Sequence, residues 1–168
     1  MRLELKEISI SNFQSIQNAT IKIDNRGIVI IKGRNEYEEN ALSNGSGKSS
    51  CFESIFYALF GKTSQGISYP QNRYLSGECL VKLDFVIDEI NYTIIRTQKG
   101  KSSSVKLLRN NEDISGRNKS DTENIIQRDI IKLSKDLFLS IIFLSQGFSG
   151  KLSSLTPGGR KERIETLI

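Results

Sequence analysis

The order of apolar and polar positions predicts strands in the first part of the chain. Residues 3–10 (LELKEISI) and 18–24 (NATIKID) alternate apolar and polar side chains, as strands with one buried face do. Residues 27–33 (GIVIIKG) form a continuous apolar run that ends in glycine. Such a run is typical of a central strand buried on both faces. We therefore expect three strands before residue 34.

The apolar period changes after Gly47 and predicts a helix. Apolar side chains now recur three and four positions apart, which places them on one helical face: Phe52, Ile55, Phe56, Leu59 and Phe60. Gly61 is suited to end this helix, since glycine readily takes the left-handed conformation of a helix C-terminus. The predicted order is strand, loop, helix, which is the context of a phosphate-binding loop.

The following residues predict an antiparallel meander. Residues 61–77 are rich in Gly, Ser, Gln and Asn and indicate a loop. Strands are expected at 78–88, 90–98 and 105–110, with a tight turn between the first two and a flexible basic turn before the third.

The last third of the chain predicts two helices and a strand. Residues 120–133 have a capping box at their start, formed by Ser120 and Glu123, and an apolar stripe after it. Residues 140–147 (SIIFLSQG) predict a strand that ends in polar residues. Thr156 and Pro157 suit the start of a final helix. That helix has no stop signal, so we expect it to continue in a longer polypeptide.

Composition narrows the classes of function. A chain of 168 residues with 37% hydrophobic content can bury a core as one domain. It has no histidine and two cysteines without metal-ligand spacing, which argues against zinc chemistry and His-dependent nucleophiles. Free thiols without a signal peptide indicate a reducing, cytoplasmic compartment. No apolar run approaches the roughly 18 residues of a membrane span, so no membrane partner is expected. The net charge of +5 mildly favours an anionic partner.

The segment from 44 to 50 (NGSGKSS) matches the end of a phosphate-binding loop. The strict pattern requires a glycine at position 42, where this chain has Leu42, while Gly33 stands earlier. In such a loop glycines and backbone N–H groups surround the phosphates, a lysine contacts the β- and γ-phosphates, and a serine hydroxyl binds Mg²⁺. The candidate ligands of ATP are Gly33, Asn44, Gly45, Ser46, Gly47, Lys48, Ser49 and Ser50, with Ser49 also on the metal. The alternative is a chance Gly-Lys-Ser at a helix start.

Residues 35–43 are interpreted as an insertion in this loop. They carry Glu36, Glu38 and Glu39, which would repel a triphosphate. We expect the insertion to bulge away from the nucleotide. A tolerated surface elaboration and a regulatory or DNA-contacting role both stay open.

Three stretches in order resemble the SbcC-type ABC ATPases of DNA double-strand-break repair and their phage and eukaryotic counterparts. They are LKEISISNFQSI, NGSGKSSCFESIFYALFG and FLSQGFSGKLSSLTPGGRKERIETLI. The resemblance implies the N-terminal lobe of an ATPase head that binds ATP and Mg²⁺. It also implies that Gln146 is the glutamine that touches Mg²⁺ and the attacking water, and that Asn12 lies where the first turn approaches the nucleotide. Gln14 replaces the basic residue of many relatives, so a phosphate contact there is in doubt.

The resemblance further implies which parts must come from elsewhere. The stretch LSGE (75–78) looks like an ABC signature but leads into a predicted strand, so we interpret it as a loop. No run of four apolar residues precedes an Asp-Glu pair, so no Walker B carboxylate is present. We therefore expect residues 1–155 to form the N-terminal lobe and residues 156–168 the root of a coiled-coil arm. The implied partners are the C-terminal lobe, a second head, a nuclease subunit and DNA.

Other classes stay open beside this one. An SMC- or RecF-type DNA-tethering ATPase without a nuclease shares the same loop. A transporter domain fits less well, because Gln146 lies further after Lys48 than usual. A small phosphate-loop kinase is the most distant alternative. Two basic clusters could contact phosphates or simply be solvated: Lys99, Lys101, Lys106 and Arg109, and Lys151, Arg160, Lys161 and Arg163.

Overall fold

The computed structural model describes residues 2–34, 46–142 and 155–165. Its strands are β1 (Leu3–Phe13), β2 (Ile16–Lys22), β3 (Cys79–Ile87), β4 (Ile90–Lys99), β5 (Ser102–Arg109) and β6 (Glu112–Asp113). Its helices are α1 (Lys48–Phe60), α2 (Lys119–Asn124), a π-helix (Ile125–Ile131), α3 (Lys135–Ile141) and α4 (Pro157–Glu165). The six strands form one antiparallel sheet in the order β2-β1-β3-β4-β5-β6.

Alternation along the strands decides which face of the sheet is buried. In β3 every second side chain is buried, from Cys79 to Ile87. This face packs against α1 and the π-helix through Phe56, Leu59 and Ile126. The opposite face carries cross-strand hydroxyl pairs, such as Ser9 with Thr20 and Thr97 with Ser104. The predicted α/β fold with an antiparallel meander is confirmed, and β1 and β2 extend the meander into a wider sheet.

The predicted turns and most predicted elements are also confirmed. The β3–β4 hairpin turns at Asp88 and Glu89, whose φ angles of 45° and 70° suit a two-residue hairpin turn. Helix α1 ends at Gly61, which has φ 70° and donates its N–H to the Tyr57 carbonyl at 2.8 Å. The stretch 74–78 is a loop that leads into β3, as expected. Thr156 caps α4 by accepting the N–H of Gly159 at 3.3 Å.

The strand predicted at residues 27–33 is wrong. These residues form no strand, and Ile28, Val29 and Ile30 are 96%, 50% and 77% exposed. The apolar composition predicts burial on both faces, but such burial requires neighbouring strands on either side. None of the strands in the described ranges pairs with this run. An exposed β-forming apolar segment is the result.

Two other predictions about helices are corrected. The cap of α2 is Asn118, whose side chain accepts the N–H of Asp121 at 2.9 Å, and not Ser120. Glu123, expected in the capping box, instead pairs with Arg96. The strand predicted at residues 140–147 is wrong at its start, because residues 140 and 141 close α3, and its residues 143–147 lie outside the described residues. The Ser134 hydroxyl caps α3 by accepting the N–H of Leu137. This helix-start signal was outweighed in the prediction by the apolar run that begins at residue 140.

A buried arginine fixes the far end of α1. The guanidinium of Arg96 donates to the carbonyls of Ala58 at 2.6 Å and Leu59 at 3.4 Å, and to both carboxylate oxygens of Glu123 at 2.5 and 2.8 Å. Arg96 is 2% exposed. The Arg96 side chain therefore links three elements: its own strand β4, the last turn of α1, and α2. It holds α1 at the end opposite to the candidate site.

Candidate nucleotide site at the start of helix α1

Helix α1 begins where the sequence places the phosphate loop. Gly47 precedes it with φ 82°, a left-handed conformation that a side chain would strain, and Lys48 is the first helical residue. Gly47 offers no side chain to cap this end, and the first turn of the helix has no acidic residue. The first N–H groups of a helix lack intrahelical acceptors and carry a partial positive charge. The residues present therefore fit an anionic ligand such as a phosphate.

Gly33 and Ser46, on either side of the predicted insertion, lie against each other. A Cβ atom added to Gly33 would overlap the side chain of Ser46 and come within 3.2 Å of Cγ of Lys48. Gly33 and Ser46 are thus in direct contact although the chain between them is long. Residues 35–43 lie outside the described residues, and their interpretation as an insertion stays a prediction. Asn44 and Gly45 lie outside the described residues.

Three consecutive residues at the helix start face different surroundings. Lys48 is partly buried and its Nζ donates to Oγ of Ser46 at 3.2 Å. Ser49 is exposed, as a hydroxyl ligand of a metal must be. Ser50 is buried, and its Oγ lies 2.8 Å from Oγ of Ser15. A contact between Ser50 and a phosphate would therefore come from its backbone N–H.

The turn between β1 and β2 supports this helix start. A Cβ atom on Gly47 would lie 3.4 Å from both Oγ of Ser15 and Cγ1 of Ile16. Together with the Ser15–Ser50 hydrogen bond, this packs the turn against the candidate site. The sequence did not predict that Ser15 lies beside the site. The alternation of apolar and polar residues in β1 and β2 does not show what the turn between them contacts.

Asn12 lies at the end of β1, just before that turn. It has φ 54° and is 6% exposed, and neither its Oδ1 nor its Nδ2 has a hydrogen-bond partner among the described residues. A Cβ atom added to Gly77 would lie 3.8 Å from Nδ2 of Asn12, so this glycine lies near the amide. Gln146, the third element of the predicted site, lies outside the described residues, and its role stays a prediction.

The remaining titratable groups give no second site. In the described ranges, no three His, Cys, Asp or Glu residues are grouped as metal ligands. Burial raises the pKa of the Cys79 thiol to about 12 and that of Tyr57 to about 12, and it also raises the pKa of Cys51. These groups stay protonated at neutral pH. None of the helices in the described part of the chain is long and apolar enough to span a membrane.

Comparison with known proteins assigns this helix start and sheet to a P-loop ATPase-like fold. A family model described as "AAA domain" matches residues 7–166. The chain belongs to that family. A solved structure of the recombination mediator protein RecF with ATPrS shares the fold, with a TM-score of 0.52 over 82% of this chain and 34% of that one, at 17% identity.

Curated relatives of this chain are archaeal repair ATPases. The "DNA double-strand break repair Rad50 ATPase" of Methanocaldococcus jannaschii is 34% identical over 175 residues, covering 100% of this chain and 16% of that protein. The protein of the same name from Thermoplasma volcanium is 29% identical over 168 residues, covering 98% and 18%. They confirm the resemblance seen in the sequence. The chain spans less than a fifth of the length of these relatives.

Proposed function

We propose that this chain is the N-terminal lobe of an ATP-binding head in a DNA double-strand-break repair ATPase of the Rad50 and SbcC type. The proposal depends on the start of α1. Gly47 provides no side-chain cap there, and Gly33 lies close to the side chains of Ser46 and Lys48. The names of the relatives support the repair role. ATP bound here would control a partner nuclease that acts on DNA ends.

In this proposal each predicted ligand has a distinct task. Lys48 contacts the β- and γ-phosphates, and Ser49 holds Mg²⁺. The backbone of Gly33 and of residues 44–47 surrounds the phosphates, and the Ser50 N–H completes the helix start. Gln146 contacts the metal and the attacking water. Bound Mg²⁺ would neutralise charge on the transferred phosphoryl group.

The surface beside the site supports a role for the C-terminal lobe of the same polypeptide. Ile28 and Ile30 are exposed, and Phe52 on α1 is 47% exposed. Next to them lies a mainly apolar cleft of about 90 Å³, lined by Ile8, Ile21, Lys22, Ile23, Val29, Ile31, Cys51, Phe52 and Ile55. An apolar surface of this kind marks an interface. We propose that the C-terminal lobe covers it and supplies the Walker B carboxylate.

Further parts of the assembly follow from the same proposal. Residues 1–155 form the lobe and residues 156–168 the root of a coiled-coil arm. A second head binds across the nucleotide, and the complex works in the cytoplasm or nucleoid, where its DNA is. An SMC- or RecF-type tethering ATPase without a nuclease remains the alternative, and the RecF likeness bears on the fold alone. A coiled coil with a central Cys-x-x-Cys beyond residue 168 would favour the Rad50 and SbcC type. A large hinge domain would favour the SMC type.

One comparison tests the proposal. Nucleotide affinity is measured for Lys48→Ala and for Lys101→Ala, an exposed lysine on the β4–β5 turn, with and without the C-terminal fragment. Because Lys48→Ala removes a charge-assisted contact, it should weaken ATP binding about ten- to hundredfold, whereas Lys101→Ala should leave ATP binding unchanged. The 168-residue chain without its C-terminal fragment should show negligible turnover. Equal affinities of the two variants, or full ATPase activity of this chain alone, would contradict the proposal.

A further inference from the structure

A π-helix of seven residues lies in the helical segment that follows the sheet. Helix α2 runs directly into it at Ile125, and it ends at Lys132, whose N–H donates to the carbonyl of Gln127 at 2.9 Å. This bond joins residues five apart, whereas an α-helix bonds residues four apart. Lys132 has φ 55°, a left-handed conformation that is uncommon for a residue with a side chain. π-Helical turns are rare and occur frequently at functional sites.

The apolar residues of this segment fit two helical registers. In the π-helix, Ile126, Ile130 and Ile131 are buried. In the sequence, Ile126, Ile130 and Leu133 recur at positions i, i+4 and i+7, which is the stripe of an α-helix. Leu133 is only partly buried in the π register, although it packs against the core. An α register would therefore keep two of the buried residues and bury Leu133 in place of Ile131.

Two sets of contacts join this segment to α1. Before the π-helix, Glu123 accepts two bonds from the guanidinium of Arg96, which also donates to two carbonyls in the last turn of α1. After the π-helix, the ring of Phe138 on α3 lies 5.9 Å from the ring of Phe56 and 5.2 Å from that of Phe60, both on α1. The π-helix is thus connected to α1 on both sides.

Helix α1 connects these contacts to the candidate nucleotide site. Its 13 residues span about 20 Å, at 1.5 Å per residue, from Lys48 to Phe60. Arg96 is 2% exposed and bonded to both α1 and Glu123, so a shift of α1 along its axis acts on the start of the π-helix. Packed cores change between discrete arrangements and do not deform continuously. A shift of α1 would therefore act on a segment that has a second arrangement available.

We propose that residues 119–133 form a two-state element, with a π and an α register, and that a nucleotide at the start of α1 shifts the balance between the registers through Arg96 and Glu123. This inference rests on the proposed function, which places ATP at α1. Arg96 is a positioning residue, because it contacts α1 and Glu123 at the far end of the helix. Residues 132–134, which have no regular structure, take up the change in register. The exposed residues 127–129 turn with the segment, so the surface of the lobe changes with the bound nucleotide.

Hydrogen exchange of backbone amides in the full-length protein, with and without ATP and Mg²⁺, tests the coupling. Coupling between two sites commonly corresponds to about 5- to 150-fold, so ATP should change exchange at residues 125–133 by at least about fivefold. In Arg96→Met/Glu123→Leu, ATP should still slow exchange at residues 47–50 and leave residues 125–133 unchanged. Apolar replacement of a buried ion pair is often neutral for stability, so this variant should fold. Arg2→Met/Glu4→Leu is the control, since it replaces an exposed pair on β1.

A second pair of variants tests the two registers without touching the ion pair. Leu133→Ala removes a side chain that the α register buries fully, so it should suppress the response of residues 125–133 to ATP. Ile125→Ala is the matched control, because Ile125 is also partly buried and packed against the core but lies outside the α-helical stripe. The control should respond to ATP as the unmodified protein does.

Each result has a distinct meaning. A response at residues 125–133 that is lost in Arg96→Met/Glu123→Leu and in Leu133→Ala, and kept in both controls, supports the inference. A response that persists in the ion-pair variant, or that Leu133→Ala and Ile125→Ala change equally, contradicts it. Slower exchange at residues 47–50 with no change at residues 125–133 in the unmodified protein contradicts the inference alone. Exchange at residues 47–50 that ATP leaves unaltered contradicts the proposed function itself.

Discussion

The buried ion pair between Arg96 and Glu123 makes a quantitative prediction about stability. Glu123→Ala removes both carboxylate acceptors of the Arg96 guanidinium, which stays charged at 2% exposure and keeps its bonds to the carbonyls of Ala58 and Leu59. Removing one partner of a buried ion pair costs about 3–5 kcal/mol. The Glu123 side chain is 19% exposed, so water can reach part of the space it vacates. We therefore expect a loss near the lower limit, about 3 kcal/mol.

The assay is urea unfolding of the 168-residue chain, with the free energy of unfolding extrapolated to water. Glu165→Ala is the matched control, because it breaks the pair between Lys161 and Glu165 at 3.7 Å, whose side chains are 77% and 63% exposed. An exposed pair of this kind should cost less than about 0.5 kcal/mol. A loss below about 1 kcal/mol for Glu123→Ala, or equal losses in both variants, would refute the burial of this pair.

Two further predictions concern a glycine and a thiol. Gly61→Ala should destabilise the chain more than Gly66→Ala in the same assay. Both glycines have positive φ, so both substitutions strain the backbone. A Cβ atom on Gly61 would also lie 2.9 Å from Oε1 of Glu123, while a Cβ atom on Gly66 meets nothing within 4 Å. We expect about 1 kcal/mol for Gly66→Ala from backbone strain alone, and equal losses would contradict the predicted clash. Cys79 should resist a thiol reagent at pH 8 in the native state, because burial raises its pKa to about 12, and should react in denaturant. Rapid native labelling of Cys79, with Cys51 replaced by serine, would show that this thiol is accessible.

The sequence predicted the elements whose signal is local. Strand β3 follows a strict alternation, and two residues between apolar runs marked its turn to β4 at Asp88 and Glu89. Gly61 ended α1 because a left-handed terminus depends on one residue. The strand prediction at residues 27–33 was wrong, because an apolar run indicates burial but does not identify the strands that would have to pair with it. The run in α3 misled for a related reason, since short apolar stretches suit a strand or a helix equally.

The same distinction holds for the candidate site. Gly47 and Lys48 could be placed at the helix start because their pattern is continuous in sequence. Gly33 and Ser46 are in contact, and the interpretation of residues 35–43 as an insertion stays a prediction. Ser15 and Arg96 could not be assigned, because their contacts with the two ends of α1 arise from packing between distant segments. Asn12 was placed near the site by resemblance, and its unpaired amide emerges only from the structure.

The central claim is that the start of α1 holds the phosphates of ATP. Hydrogen exchange of backbone amides in the full-length protein, with and without ATP and Mg²⁺, tests it most directly. A phosphate held by helix N–H groups should slow exchange at Gly47, Lys48, Ser49 and Ser50, while the distant turn at Asp88 and Glu89 stays unchanged. Saturating ATP that leaves exchange at residues 47–50 unaltered would contradict the account.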